Sequence, residues 1–113
     1  MLLPQANRAV IDPVKLHGYL LSTSHPIGRF KARFFGALGF RAARWFELED
    51  ALRTQHLNKQ ARLGPPDPRG RFFTIGATKL QGPAGEASVL SVWLVRNDED
   101  FPRFVTAYPG GDR

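Results

Sequence analysis

The strongest constraint in this chain is a change of period. Up to about residue 63 the apolar positions recur at helical spacing. From residue 71 onward the chain is rich in β-branched and aromatic blocks. The two regimes are separated by Gly64-Pro65-Pro66-Asp67-Pro68-Arg69-Gly70, a loop composition. Helices followed by hairpins predict an α+β fold, with two to three N-terminal helices packed on one face of a C-terminal antiparallel sheet of three or four strands. A chain of 113 residues holds one domain, residues 1–113. Residues 1–63 are expected to be mainly helical and basic, and residues 70–109 to form the sheet.

Local signals place the elements. Asp12 as N-cap and Pro13 in the first turn start a helix that runs to about Leu21. Ser22-Thr23-Ser24-His25-Pro26 breaks it, and a second helix runs from Pro26 to Leu38, stopping at Gly39. Trp45, Leu48 and Leu52 mark a third, from Ala42 to Ala61. Arg71–Leu80 reads as a strand with a bulge at Gly76, and Gly82-Pro83-Ala84-Gly85 as a turn. Glu86–Arg96 reads as a central strand, Asn97–Asp100 as a solvated acidic turn, and Phe101–Tyr108 as the last strand, ended by Pro109-Gly110-Gly111.

Composition removes several chemistries. The absence of cysteine excludes a disulfide scaffold, a thiolate zinc site and a cysteine nucleophile. His17, His25 and His56 have no second ligand at helical spacing, so no metal and no cofactor are expected. His17 and His56 read as surface or packing residues. There is no G-x-S-x-G elbow, no phosphate-binding glycine loop and no spaced carboxylate pair on a strand. No apolar run approaches membrane-spanning length, and Met1-Leu2-Leu3-Pro4-Gln5 lacks the regions of a secretory signal, so a cytoplasmic location without membrane contact is the expectation.

Charge is placed unevenly. The net charge of +6 lies wholly in residues 1–63, which carry ten basic and four acidic side chains, whereas residues 64–113 carry six of each. Such a one-sided field attracts RNA, DNA or an acidic protein, or else is a solvated basic surface with no partner.

The second helix carries an anomaly. With Ile27 at 0° and about 100° per residue, Phe30, Phe34, Leu38 and Phe35 span an arc from about 300° to about 80°. Lys31, at about 40°, falls inside that arc, while Arg29 and Arg33 lie opposite. A lysine there either snorkels at the sheet edge or faces a cleft as the cation of a site. His25, just before this helix, is either a polar cap or a general acid or base. On the last strand, alternation groups Phe104, Thr106 and Tyr108 on one face and Arg103, Val105 and Ala107 on the other. Thr106 and Tyr108 either pack or orient a phosphate or base. His, Lys, Arg, Thr and Tyr suffice for metal-independent RNA cleavage, which needs a base for the ribose 2′-hydroxyl, an acid for the leaving 5′-oxygen and cations for the phosphorane.

The chain also resembles a bacterial domain family of unknown function. The resemblance rests on Leu3-Pro4, Asn7-Arg8-Ala9, Tyr19-Leu20-Leu21, the segment from Ser24 to Phe35, Leu38-Gly39-Phe40, Gly82-Pro83-Ala84-Gly85, Val92-Trp93 and the segment from Pro102 to Pro109. Domains of this pattern resemble the C-terminal toxin modules of bacterial polymorphic and contact-dependent toxins. Helices followed by an antiparallel sheet are similar to the barnase–EndoU–colicin–RelE superfamily of metal-independent ribonucleases. The family pattern marks His25, Gly28, Arg29, Lys31, Trp93, Thr106 and Tyr108; Trp93 reads as core rather than as a base-stacking residue.

The resemblance implies a ribonuclease toxin-like domain. His25, Lys31, Arg29, Thr106 and Tyr108 are its catalytic candidates, Arg33, Arg103 and Arg71 its substrate-binding cations, and RNA and an acidic antitoxin or immunity protein its expected partners. The alternatives are a non-catalytic interaction domain that binds an acidic protein through the same basic face, and a nonspecific nucleic-acid binder.

Overall fold

The C-terminal half folds as an up-and-down sheet. In a computed structural model that describes residues 1–110, strands β1 (Ala61–Leu63), β2 (Gly70–Gly82), β3 (Gly85–Arg96) and β4 (Pro102–Pro109) lie in the order β1-β2-β3-β4, all antiparallel. Helices α1 (Pro13–Lys15), α2 (Gly28–Ala37) and α3 (Trp45–Gln55) fill the N-terminal half and pack against this sheet, which is the expected α+β architecture. Gly111 falls outside the described residues.

The strand boundaries follow the local chemistry. Gly82 pairs with Gly85, so Pro83-Ala84 is a two-residue hairpin loop. The register of β2 against β3 shifts between Ile75 and Thr78, which puts the expected bulge at Gly76 and Ala77. The sheet has one strand more than three because the third helix ends early. The helix expected to reach Ala61 closes at Gln55, which frees residues 61–63 to pair with residues 73–75. Leu2 bridges Gln60, and Ala61 donates its N–H to the Met1 carbonyl, so the N-terminus helps hold β1 extended.

The first helix also differs from expectation. Asp12 caps it by accepting from the Val14 N–H at 3.0 Å, but the α-helical geometry lasts one turn and passes into a π-helical turn over Leu16–Leu20. The wider turn buries both Leu16 and Leu20 while leaving Tyr19 half-buried.

The core lies between the helices and one face of the sheet. Val89, Ser91, Trp93 and Val95 of β3 point inward, alternating as a strand must, and meet Phe73, Ile75, Phe104, Leu16, Phe35, Leu48 and Leu52. Trp93 is fully buried as expected and packs edge-on against Phe104 at a 5.2 Å ring separation. Such a pair adds about 1 kcal/mol to the area it buries.

Two polar side chains sit in this core. His56 Nδ1 is 2.9 Å from Ser91 Oγ, which also accepts from Trp93 Nε1 at 2.9 Å, and His56 Nε2 is 3.4 Å from the Thr78 carbonyl. One proton arrangement satisfies the chain: indole to hydroxyl, hydroxyl to Nδ1, and Nε2–H to the carbonyl. His56 is therefore a packing residue, completely buried, and desolvation holds its pKa below the ordinary value.

Candidate functional site

Two backbone features decide where the candidate side chains go. The first is a bulge in β4. Trp93 pairs with Phe104 and Val92 with Thr106, leaving Val105 as the extra residue. Cross-strand partners share a face, so Phe104 and Ala107 go to the core side with Trp93 and Ser91. Thr106 and Tyr108 join Arg103 on the other face, opposite Val92, Leu90 and Leu94. The grouping of Phe104 with Thr106 and Tyr108 fails because the extra residue reverses the alternation.

The second feature is the rotation of α2. A Cβ on Gly28 would overlap the Tyr19 carbonyl, so the helix meets the π-helical turn through its glycine. Gly28, Ala32 and Phe35 are therefore the buried residues of α2, and Ile27 and Phe30 are exposed, contrary to the arc drawn from hydrophobicity alone. Lys31 keeps the inward side that the wheel gives it, half-buried on the flank of this contact. Its Nζ donates to Thr106 Oγ1 at 2.8 Å, and it lies 4.8 Å from the Tyr108 ring centre and 5.2 Å from that of Tyr19. An ammonium between two aromatic faces with one hydroxyl acceptor is held by hydrogen bonding and cation–π attraction.

His25 reaches the same cluster through Tyr19. The two rings meet edge to face at 5.0 Å. His25 Nδ1 accepts from the N–H groups of Ile27 and Gly28, both at 3.0 Å, so the ring caps the entry of α2. In the neutral ring this fixes the proton on Nε2. Proton transfer by His25 requires Nδ1 to leave the cap.

The remaining candidates lie elsewhere. Arg29 is exposed and stacks on Phe30 at 4.8 Å, and Arg33 is exposed beside it. Arg103 is held by both carboxylate oxygens of Glu99, at 2.8 and 2.7 Å. That pair lowers the Glu99 pKa and raises that of Arg103, and it shows that Glu99 is not merely a solvated turn residue. Arg103 lines a cavity of about 280 Å³ with Lys15, Arg69 and Arg96 over Phe72 and Leu94. Arg71 is exposed opposite Val95, on the face away from Arg103.

Tyr19 and Lys15 were missed by the sequence reading. Lys15 Nζ donates to the Val105 carbonyl at 3.2 Å, at the bulge. One signal for Tyr19 was available: a glycine opening a helix marks close approach of another backbone. Among the described residues no group of histidine, aspartate and glutamate has metal-binding geometry. No helix among them is long and apolar enough to cross a membrane.

Comparison with known proteins bears on the fold and the family. No curated protein matches the chain. A chain from a complex of a contact-dependent growth inhibition toxin with its immunity protein, from Klebsiella pneumoniae 342, superposes with a TM-score of 0.54. The match has 21% sequence identity and covers 88% of this chain and 98% of that one. This likeness is one of fold. The family model described as Domain of unknown function (DUF6883) matches residues 2–111, and the chain belongs to that family.

Proposed function

We propose that the chain is a toxin-like module that acts on RNA without a metal, and that the cluster of His25, Tyr19, Lys31, Thr106 and Tyr108 receives the scissile phosphate. The observation that carries this reading is the placement of the Lys31 ammonium, 2.8 Å from Thr106 Oγ1 and between the rings of Tyr19 and Tyr108. A fixed cation among hydroxyl donors suits the negative charge that grows on a phosphorane, and preorganised charge is the largest single contributor in many such sites. The fold shared with a chain of a toxin–immunity complex and the basic N-terminal half support the same reading.

In this reading the ribose 2′-oxygen attacks phosphorus and the bond to the 5′-oxygen breaks, giving a 2′,3′-cyclic phosphate and a 5′-hydroxyl. Lys31 stabilises the phosphorane, with the hydroxyls of Thr106 and Tyr108 and the His25 Nε2–H as further donors. Once Nδ1 leaves its cap, His25 takes the 2′-hydroxyl proton and returns it to the leaving 5′-oxygen. Arg103, with Lys15 and Arg96 beside it, holds a neighbouring phosphate of the same strand.

The test is expression of the wild-type chain beside Lys31→Ala and His25→Ala, with growth and RNA integrity as readouts. Wild type should arrest growth and fragment RNA. Lys31→Ala should reduce cleavage by about 10²-fold or more, the effect of removing one transition-state donor. Intact RNA with the wild-type chain, folded and free of any partner, overturns the reading.

A further inference from the structure

Helix α2 leaves two large apolar side chains outside the molecule. Ile27 is 63% exposed and Phe30 is 69% exposed. Ile27, the residue that caps α2, and Phe30 in its first turn stand three residues apart, the spacing of neighbours on one side of a helix. Arg29 lies over the Phe30 ring, and Arg33 is one turn further on. Phe30, Arg29 and Arg33, with Thr23 and Ala32, line a recess of about 320 Å³. Among the described residues neither Arg29 nor Arg33 forms an ion pair. The sequence supplies the reason: residues 14–46 contain six lysines and arginines and not one acid. An exposed aromatic with a guanidinium on its ring, an exposed aliphatic and arginines without ion pairs have the composition of an interface centre, not that of a solvated helix face.

We propose that this outer face of α2 docks an acidic protein partner. Phe30 and Ile27 enter an apolar recess on the partner, and Arg29 and Arg33 meet carboxylates around it. This deepens the toxin-like reading and rests on it for the existence of a protein partner. The chemistry favours protein over RNA. Ile27 has no π-face to stack on a base, and Arg29 already occupies one face of the Phe30 ring. Carboxylates pair with guanidinium forks in two-bond geometry, and like charges would exclude basic partners. The face is separate from the phosphate cluster, because Lys31 turns inward where Phe30 turns out.

The test places the photocrosslinker p-benzoylphenylalanine at position 30 of the full chain, with position 62 on exposed β1 as control, in the cells that encode the chain. The expected result is one protein adduct at position 30 and none at position 62, with an acidic sequence in the captured protein. Purified, that protein should bind the wild-type chain, and Phe30→Ser should weaken binding at least tenfold while Phe30→Leu largely restores it. Lys31→Ala should retain binding. No adduct at position 30, an RNA adduct there, or equal binding of Phe30→Ser overturns the proposal. The two readings fail separately: intact RNA together with Phe30-dependent binding removes the ribonuclease and keeps the docking face, and cleaved RNA with no adduct does the reverse.

Discussion

The same substitution at two places in α2 is expected to have opposite signs. Glycine in a helix is about 0.5–1 kcal/mol less favourable than alanine. At Gly36 an added Cβ meets nothing within 4 Å, so Gly36→Ala should collect that difference as stability. At Gly28 the added Cβ runs into the carbonyl of Tyr19, a backbone atom that cannot swing aside. Overpacking costs about 1–3 kcal/mol, and a clash with backbone falls in the upper half of that range, which leaves a net loss of about 1–2 kcal/mol after the propensity gain. For 113 residues, an unfolding entropy of about 2.1 cal/mol/K per residue converts 1 kcal/mol to about 4 °C. Gly36→Ala should therefore raise Tm by about 2–4 °C and Gly28→Ala lower it by about 4–8 °C. Thermal melts by circular dichroism and urea midpoints measure both. If Gly28→Ala stabilises as much as Gly36→Ala, α2 does not meet the π-helical turn through its glycine, and the exposure of Ile27 and Phe30 loses its cause.

The buried histidine gives two further tests. Burial lowers the folded-state pKa of His56 below about 6.5, the unfolded value, so its contribution to stability is present above pH 6.5 and is lost as pH falls through the window beneath it; urea midpoints between pH 5 and 8 should fall on the acid side, and His56→Gln should flatten that slope. Ser91→Ala strips Trp93 Nε1 and His56 Nδ1 of their shared buried partner and should cost about 1–3 kcal/mol, with unchanged urea midpoints refuting the hydrogen-bonded chain.

The sequence by itself determined the class of fold, its order and several of its details. Period and punctuation are local properties, so the two halves, the Pro83-Ala84 turn, the Gly76 bulge and the Asp12 cap were all legible. Lys31 stood out as a charge among apolar neighbours, and the resemblance pointed to His25, Thr106 and Tyr108 as well.

Tertiary structure alone decided how these residues meet. Val105 inserts into β4 and moves Thr106 and Tyr108 off the core face, a register shift with no local signal because both registers alternate equally well. The face α2 buries was set by where glycine permits contact, not by where hydrophobicity is greatest, so Ile27 and Phe30 went to solvent while Lys31 kept its inward side. Tyr19 joined the cluster through a π-helical turn whose extra residue per turn cannot be read from composition. In each case the deciding contact is between segments distant in the chain or depends on their close approach, which periodicity within one segment does not encode.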